Sequence, residues 1–414
     1  MPFQHAAMTP ALPLTPVQLI ATYGSPLYVY DLEVVRARLR ALKAAISWKH
    51  FQPLFALKAN PCPAVVRAIV AEGFGIDAVS PGEVALALKL GVRPELVLYT
   101  ENNMTDVEMH AAVAQGVLIN CGSLDRLERL AHSGAREASV RFNPDVGAGA
   151  HEKICTGGPL TKFGVHHAQV AEVLRIERET NLKVVGCHMH IGSGFLDHAA
   201  FTQACQVIFS IAERLPNLRF VDCGGGIGIP YRTTDAPLAL TTMGQQLSAA
   251  FAAFCARYGR ALELRLEPGR FLVAESGTLY TTVTSVKTNP DSGGEKNGRT
   301  FVGTDTGFNH LVRVAMYDAY HRISNVSRPT APLRTVDVVG NICESGDVFA
   351  RARELPAPEL GDVLAIHDTG AYGMAMASTY NTRPLPAEIV LDGGRPVLAR
   401  RRQSVDELLA AYVW

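Results

Sequence analysis

Lys58 stands in FALKAN (55–60), directly behind an apolar run that reads as a strand. Its amine is a nucleophile that can form a Schiff base with an aldehyde. Much further along, Gly224, Gly225 and Gly226 run together, and Glu267-Pro268-Gly269-Arg270 follows the next strand-like stretch. Backbone N–H groups bared by glycine approach an anion closely, and an arginine adds positive charge, so the two segments together suggest a phosphate cup. The glycine run is not a dinucleotide fingerprint, because Ile229 stands where the third glycine would fall. His188 and His190 lie two apart in HMH, on one face of a strand, a spacing that suits zinc or an imidazole laid against a flat ring. A lysine, a phosphate cup and a carboxylate fit pyridoxal 5'-phosphate. Lys58 holds its aldehyde carbon, the cup holds its phosphate, and Glu267 keeps the pyridine nitrogen protonated, which makes the ring an electron sink. Taken alone, His190 reads as a core histidine, the glycines as a tight turn and Glu267 as the surface ion partner of Arg270. Their shared position decides between the readings.

That position follows from the elements. Apolar strand-like runs occur at 53–57, 75–79, 96–100, 117–120, 138–142, 184–190, 220–224 and 262–267. Between them lie stretches such as PAVVRAIVAEG (63–73), PGEVALALKLG (81–91) and HAQVAEVLRIERE (167–179), whose apolar residues recur three or four apart. Strands that alternate with helices run parallel, and eight such units predict a (β/α)8 TIM barrel over residues 32–275. The reactive residues then fall at the C-terminal strand ends, the rim where such barrels do chemistry. Asp77, Ser80 and Arg141 share that rim. From about residue 276 the texture turns to β-branched and aromatic runs, at 276–288, 299–308, 335–340, 362–368 and 387–394. The polar stretch 289–298 reads as a long hairpin loop. These runs predict an appended antiparallel β-sandwich or barrel-like domain, formed by residues 276–414 with residues 1–31, since SPLYVYD (25–31) is also strand-like.

Composition narrows the field. The 414 residues are 48% hydrophobic, and the 39 basic and 39 acidic side chains balance, which leaves no electrostatic footprint for nucleic acid or an anionic membrane. No apolar run is long enough to span a membrane, and the first residues lack the basic-then-apolar pattern of a secretory signal. Eight cysteines, at 62, 121, 155, 187, 205, 223, 255 and 343, form no CxxC pair, which points to free thiols in a reducing cytoplasm.

In their order, FALKAN, HEKICTGGPLTKFG (151–164), HMHIGSG (188–194), GGGIGIPY (224–231), EPGRF (267–271), CESGD (343–347) and GAYGMAMASTYNTRP (370–384) resemble the fold-type III pyridoxal-phosphate decarboxylases, nearest the branch acting on meso-2,6-diaminopimelate. The resemblance runs from about residue 26 to RRRQSVDELL (400–409). It implies that Lys58 binds the cofactor covalently and that His190 stacks on its ring. Ser193, Gly225, Gly226, Gly269 and Arg270 hold the phosphate, with Glu267 at the ring nitrogen. It further implies substrate contacts from Arg270, Arg313, Tyr317, Glu344 and Tyr372, the last also reaching the cofactor. Cys343 is the general acid, delivered with Glu344 from the partner subunit of a homodimer. Two arginines suit an amino-acid substrate whose far end carries its own carboxylate, and Glu344 suits the distal ammonium. The sequence departs from the family pattern at Asn341-Ile342 and at MAMAST (374–379). A decarboxylase for lysine, ornithine or a carboxylated polyamine would keep the same scaffold. Alanine racemases share the domain plan but place an arginine where Glu267 stands. A metal-dependent barrel hydrolase and a binding protein without activity complete the alternatives.

Overall fold

The computed structural model describes residues 14–147, 156–158, 161–290 and 298–414. The motif residues 151–155, Pro159 and Leu160, most of the anticipated loop at 289–298, and the amino terminus lie outside those residues, as does Cys155. The chain divides into two compact units, one of residues 35–275 and one drawn from both ends of the chain.

The first unit is a closed barrel of eight parallel strands. In chain order these are Phe51–Ala56, Gly75–Ala78, Val97–Thr100, Leu118–Cys121, Glu137–Asn143, Lys183–His188, Phe220–Asp222 and Glu263–Leu266. The last pairs with the first, Leu264 opposite Phe51, and the fourth with the fifth, Asn120 opposite Ser139, so neither edge is left open. Most of these strands are buried along nearly their whole length, as expected where side chains fill the barrel on one face and helices cover the other. The space inside is tight, since a Cβ at Gly186 would collide with the Phe220 ring. Helices return the chain between strands and start at identifiable signals. Asp106–Ala114 opens with a capping box of Thr105 and Glu108, and Leu124–His132 with Ser123 accepting the Arg126 N–H. The sixth strand ends at His188, two residues earlier than its apolar pattern suggests, so His190 belongs to the following loop.

The second unit is a sheet in which Leu27–Asp31 lies between Gly277–Asn289 and Ala387–Asp392. Arg299–Thr304, Leu333–Val339 and Val348–Pro356 extend it on one side, and Arg395–Arg400 on the other. Ile323–Asn325 and Val363–Ile366 pair off the main path. The sheet is not wholly antiparallel. Leu27–Asp31 runs parallel to Ala387–Asp392, and Arg299–Thr304 parallel to Leu333–Val339. Parallel neighbours need a long connection, and both pairs join strands far apart in the chain. Among the described residues no helix is long and apolar enough to cross a membrane.

Candidate active site

A single 3₁₀ turn, Leu57–Ala59, follows the first barrel strand. It buries Leu57 and Ala59 and leaves Lys58 between them at the rim. The Lys58 ammonium lies 2.6 Å from Oδ2 of Asp77, in the second strand. The lysine side chain is 36% exposed and the aspartate 0%, so a buried carboxylate aims an accessible amine.

Beside them sits a buried acid cluster. Nε2 of His188 and Oε2 of Glu267 share a 3.0 Å hydrogen bond, with both side chains almost fully buried. Burial, and after it the nearby Asp77, holds the Glu267 carboxyl well above its ordinary range. Burial likewise lowers His188 to about 4 and raises Asp222 to about 8. Asp222 Oδ1 accepts the Gly224 N–H at 2.8 Å. Arg141 is buried in the same region, lowered by that burial to about 10. Glu267 is therefore not the surface ion partner of Arg270. Its Oε1 is buried without a hydrogen-bond partner among the described residues, an acceptor that a protonated ring nitrogen would satisfy. The two histidines of HMH diverge. His190 accepts the Gly225 N–H on Nδ1 at 3.1 Å, and burial, ahead of Arg141, keeps its ring neutral. His188, Asp222 and Glu267 bring three possible ligand atoms within 4.8 Å of one another, a group among the described residues that does not include His190.

The loops after the sixth, seventh and eighth strands, which carry the residues of the expected phosphate cup, meet one another. The Gly226 carbonyl accepts N–H groups from Gly194 and Phe195 at 2.8 and 3.1 Å. Gly226 itself has φ of 104°, in the region that favours glycine. A Cβ on Gly225 would overlap the Glu267 carbonyl oxygen, so this glycine is what lets the two loops touch. Arg270 opens the short helix Arg270–Val273; Nη1 donates to the Tyr231 hydroxyl at 2.9 Å and Nη2 to Ser193 Oγ at 3.1 Å. Gly269 backs against the Lys58 turn, where a Cβ would crowd Ala59. Gly225→Ala is expected to weaken uptake of pyridoxal phosphate about tenfold or more, as overpacking pushes the loops apart. Equilibrium titration of the cofactor-free protein, followed by absorbance, measures it.

In the second unit, Cys343 is exposed, while the other described cysteines are buried. Its backbone N–H and its thiol both donate to Oδ1 of Asn381, each at 3.3 Å. Glu344 Oε1 accepts the Tyr380 hydroxyl at 2.6 Å. Arg313 begins the helix Arg313–Tyr317, buried, with Nη1 2.9 Å from Nε2 of His321. Tyr317 closes that helix, and Tyr372 adopts φ of 58°, a conformation bulky residues rarely hold without a functional reason. The sequence assigned no role to Asp77, Asp222, Tyr231, Tyr380 or Asn381, and to His188 only a possible metal role with His190. Rim position was the available signal for Asp77, whereas the other contacts depend on loop geometry.

A parallel barrel carrying a rim lysine, a glycine and arginine cup and a buried carboxyl defines an enzyme that works through a phosphorylated aldehyde cofactor. The family model described as the pyridoxal-binding domain of pyridoxal-dependent decarboxylases matches residues 32–274, and the chain belongs to that family. The chain is 42% identical over 405 residues to the diaminopimelate decarboxylase of Methanothermobacter thermautotrophicus, covering 95% of this chain and 92% of that protein. A crystal structure of a diaminopimelate decarboxylase superposes with a TM-score of 0.89 at 35% identity, over 98% of this chain and 99% of that one. The Helicobacter pylori diaminopimelate decarboxylase complexed with L-lysine gives 0.87 at 32%, over 95% and 98%. The cofactor is pyridoxal phosphate.

Proposed function

We propose that this protein removes carbon dioxide from meso-2,6-diaminopimelate to leave L-lysine, the last step of lysine biosynthesis. The observation that carries this reading is the full-length similarity to diaminopimelate decarboxylases, at 42% identity for the archaeal relative. When bound, pyridoxal phosphate supplies an aldehyde and a ring that draws negative charge away from the substrate's α-carbon. Lys58 would hold it through the amine that Asp77 aims. Ser193, Gly225, Gly226, Gly269 and Arg270 would hold its phosphate, Glu267 its ring nitrogen, and the neutral His190 one face of its ring, with Tyr372 as a further contact. The buried Glu267, raised above the usual carboxyl range, is suited to sharing a proton with that nitrogen. His188 fixes one of its oxygens and leaves the other for the ring.

The substrate would be held by Arg270, Arg313, Tyr317 and Tyr372, with Arg313 on the distal carboxylate. Cys343 and Glu344 of a second copy of the chain would complete each site, the thiol returning a proton to the α-carbon and the carboxylate taking the distal ammonium. This makes the working form a homodimer. We place it in the cytoplasm, a reading supported by the free thiols of the described cysteines.

Carbon dioxide release from meso-diaminopimelate, L-lysine and L-ornithine, measured side by side, tests the reaction; preference for either smaller substrate would overturn it. Arg313→Ala should depress diaminopimelate turnover far more than lysine turnover. Loss of a buried charge-assisted pair costs on the order of 2–5 kcal/mol, a factor of tens to thousands in kcat/KM. Equal losses for both substrates would make Arg313 a structural residue.

A further inference from the structure

Proton transfer and substrate capture require groups held in one geometry, yet Cys343 and Glu344 lie on a loop with neither helix nor strand across 341–347. Asp347 secures this loop from one side, its two carboxylate oxygens accepting the Phe308 and Ile342 N–H groups at 2.6 and 2.7 Å. The other side is held by the short segment 380–383. Tyr380 donates its hydroxyl to Glu344, Asn381 accepts both hydrogens of Cys343, and Arg383 Nη2 donates to the Asn341 carbonyl at 2.9 Å. Tyr380 is itself stacked on Phe308, with ring centroids 5.9 Å apart and planes at 21°. Asn381 has φ of 57° and ψ of 24°, a left-handed conformation that asparagine tolerates better than most residues. That turn is what brings its amide oxygen over Cys343.

We propose that Asn381 and Tyr380 are positioning residues for the reaction: Asn381 aims the Cys343 thiol and keeps its hydrogen in place until it is handed on, and Tyr380 fixes the Glu344 carboxylate for the distal ammonium. This rests on the proton-donor and substrate roles proposed above for Cys343 and Glu344. The physical basis is a difference between the two forms of the sulfur. A thiol donates to an amide oxygen, whereas a thiolate has no hydrogen to give, so the contact is one that only the sulfur still carrying its hydrogen makes. For Tyr380 the hydroxyl stabilises one orientation of a carboxylate that would otherwise swing freely on an exposed loop.

Alkylation of the cofactor-loaded, substrate-free enzyme by iodoacetamide at neutral pH reads the thiol directly: Cys343 is the exposed one among the described cysteines, a dimer site that admits diaminopimelate admits the smaller reagent, and the labelled peptide is identified by mass. Asn381→Gly keeps the left-handed turn and removes the acceptor, so alkylation should quicken several-fold, the effect of one lost hydrogen bond. Asn381→Asp replaces the acceptor with a negative charge that opposes the thiolate, so alkylation should slow. Both variants should lose kcat with little change in KM. Tyr380→Phe should do the reverse, raising KM for diaminopimelate several-fold and leaving kcat and the alkylation rate near wild type. Alkylation that is unchanged in both Asn381 variants, or altered in the same direction by both, overturns the role of Asn381. An unchanged KM in Tyr380→Phe overturns that of Tyr380. Full activity in Cys343→Ser would instead overturn the proton-donor reading beneath them, a result separable from either.

Discussion

Lys58→Ala protein is expected to be colourless after cofactor addition and to yield no adduct that borohydride can fix. The expectation follows from the rim geometry. Lys58 is the amine on the turn between the first strand and Gly269, and Asp77 holds it at 2.6 Å. The nearest lysines in sequence cannot replace it, since Lys49 precedes the first strand, at its opposite end, and Lys89 closes the helix Pro81–Lys89. Activity should fall by at least ~10³, the scale on which a covalent catalytic group acts when it is removed. The cup formed by Gly225, Gly226, Ser193 and Arg270 remains in the variant, so the cofactor should still bind by its phosphate, more weakly and without the bond. Mass spectrometry after reduction checks this at the level of the peptide. A reducible adduct at full occupancy on another residue would remove Lys58 from its place.

The second large effect should be a gain. Lys58→Ala and Cys343→Ala proteins, each nearly inactive, are expected to recover activity when mixed and allowed to exchange subunits. If Cys343 of the partner subunit serves each site, a mixed dimer contains one site with both residues intact and one with neither. Random exchange puts half the molecules in mixed dimers, and half the sites of those are sound, so recovery should approach about a quarter of wild type. Native mass spectrometry of the mixture establishes the exchange independently. Exchange without recovery would mean that the thiol acts in its own chain or that it does not donate the proton.

What the sequence disclosed and what it hid have a common cause. The barrel was legible because its strands, such as 75–79 and 138–142, are short apolar runs set between helices that announce their own ends. Strand order in such a barrel follows chain order, so Lys58, Asp77, His188 and Glu267 could be placed at one rim without coordinates. The contacts between them could not be read. Whether Lys58 reaches Asp77, and whether His188 meets Glu267 while His190 turns to Gly225, depends on the residue at which each strand stops. The apolar run 184–190 conceals that stop, because buried residues continue past His188. In the sheet unit the relation between chain order and space breaks down. Leu27–Asp31 finds its parallel neighbour some 360 residues later, Leu27 opposite Ala387, and nothing local in either segment encodes the pairing. The Asn381 contact was hidden for another reason: STYNTRP looks like an ordinary polar turn, yet Asn381 and Thr382 are both left-handed there, and the amide of the first is delivered to Cys343.

The location of Leu27–Asp31 also bears on how the protein is made. This strand leaves the ribosome early, yet both of its neighbours, Gly277–Asn289 and Ala387–Asp392, are encoded after the whole barrel. At roughly 5–20 residues per second, the nascent strand waits on the order of tens of seconds for its last neighbour. Until Gly277–Asn289 is made, Leu27, Tyr28, Val29 and Tyr30, all buried in the finished sheet, lack both strands that flank them, and until Ala387–Asp392 is made they lack one. The barrel can close in the meantime, but the sheet must wait for strands made later. A chain interrupted between the making of those two neighbours would carry a finished barrel while the side of Leu27–Asp31 meant for Ala387–Asp392 stays unpaired, the kind of edge that chaperones capture and that self-associates when they do not.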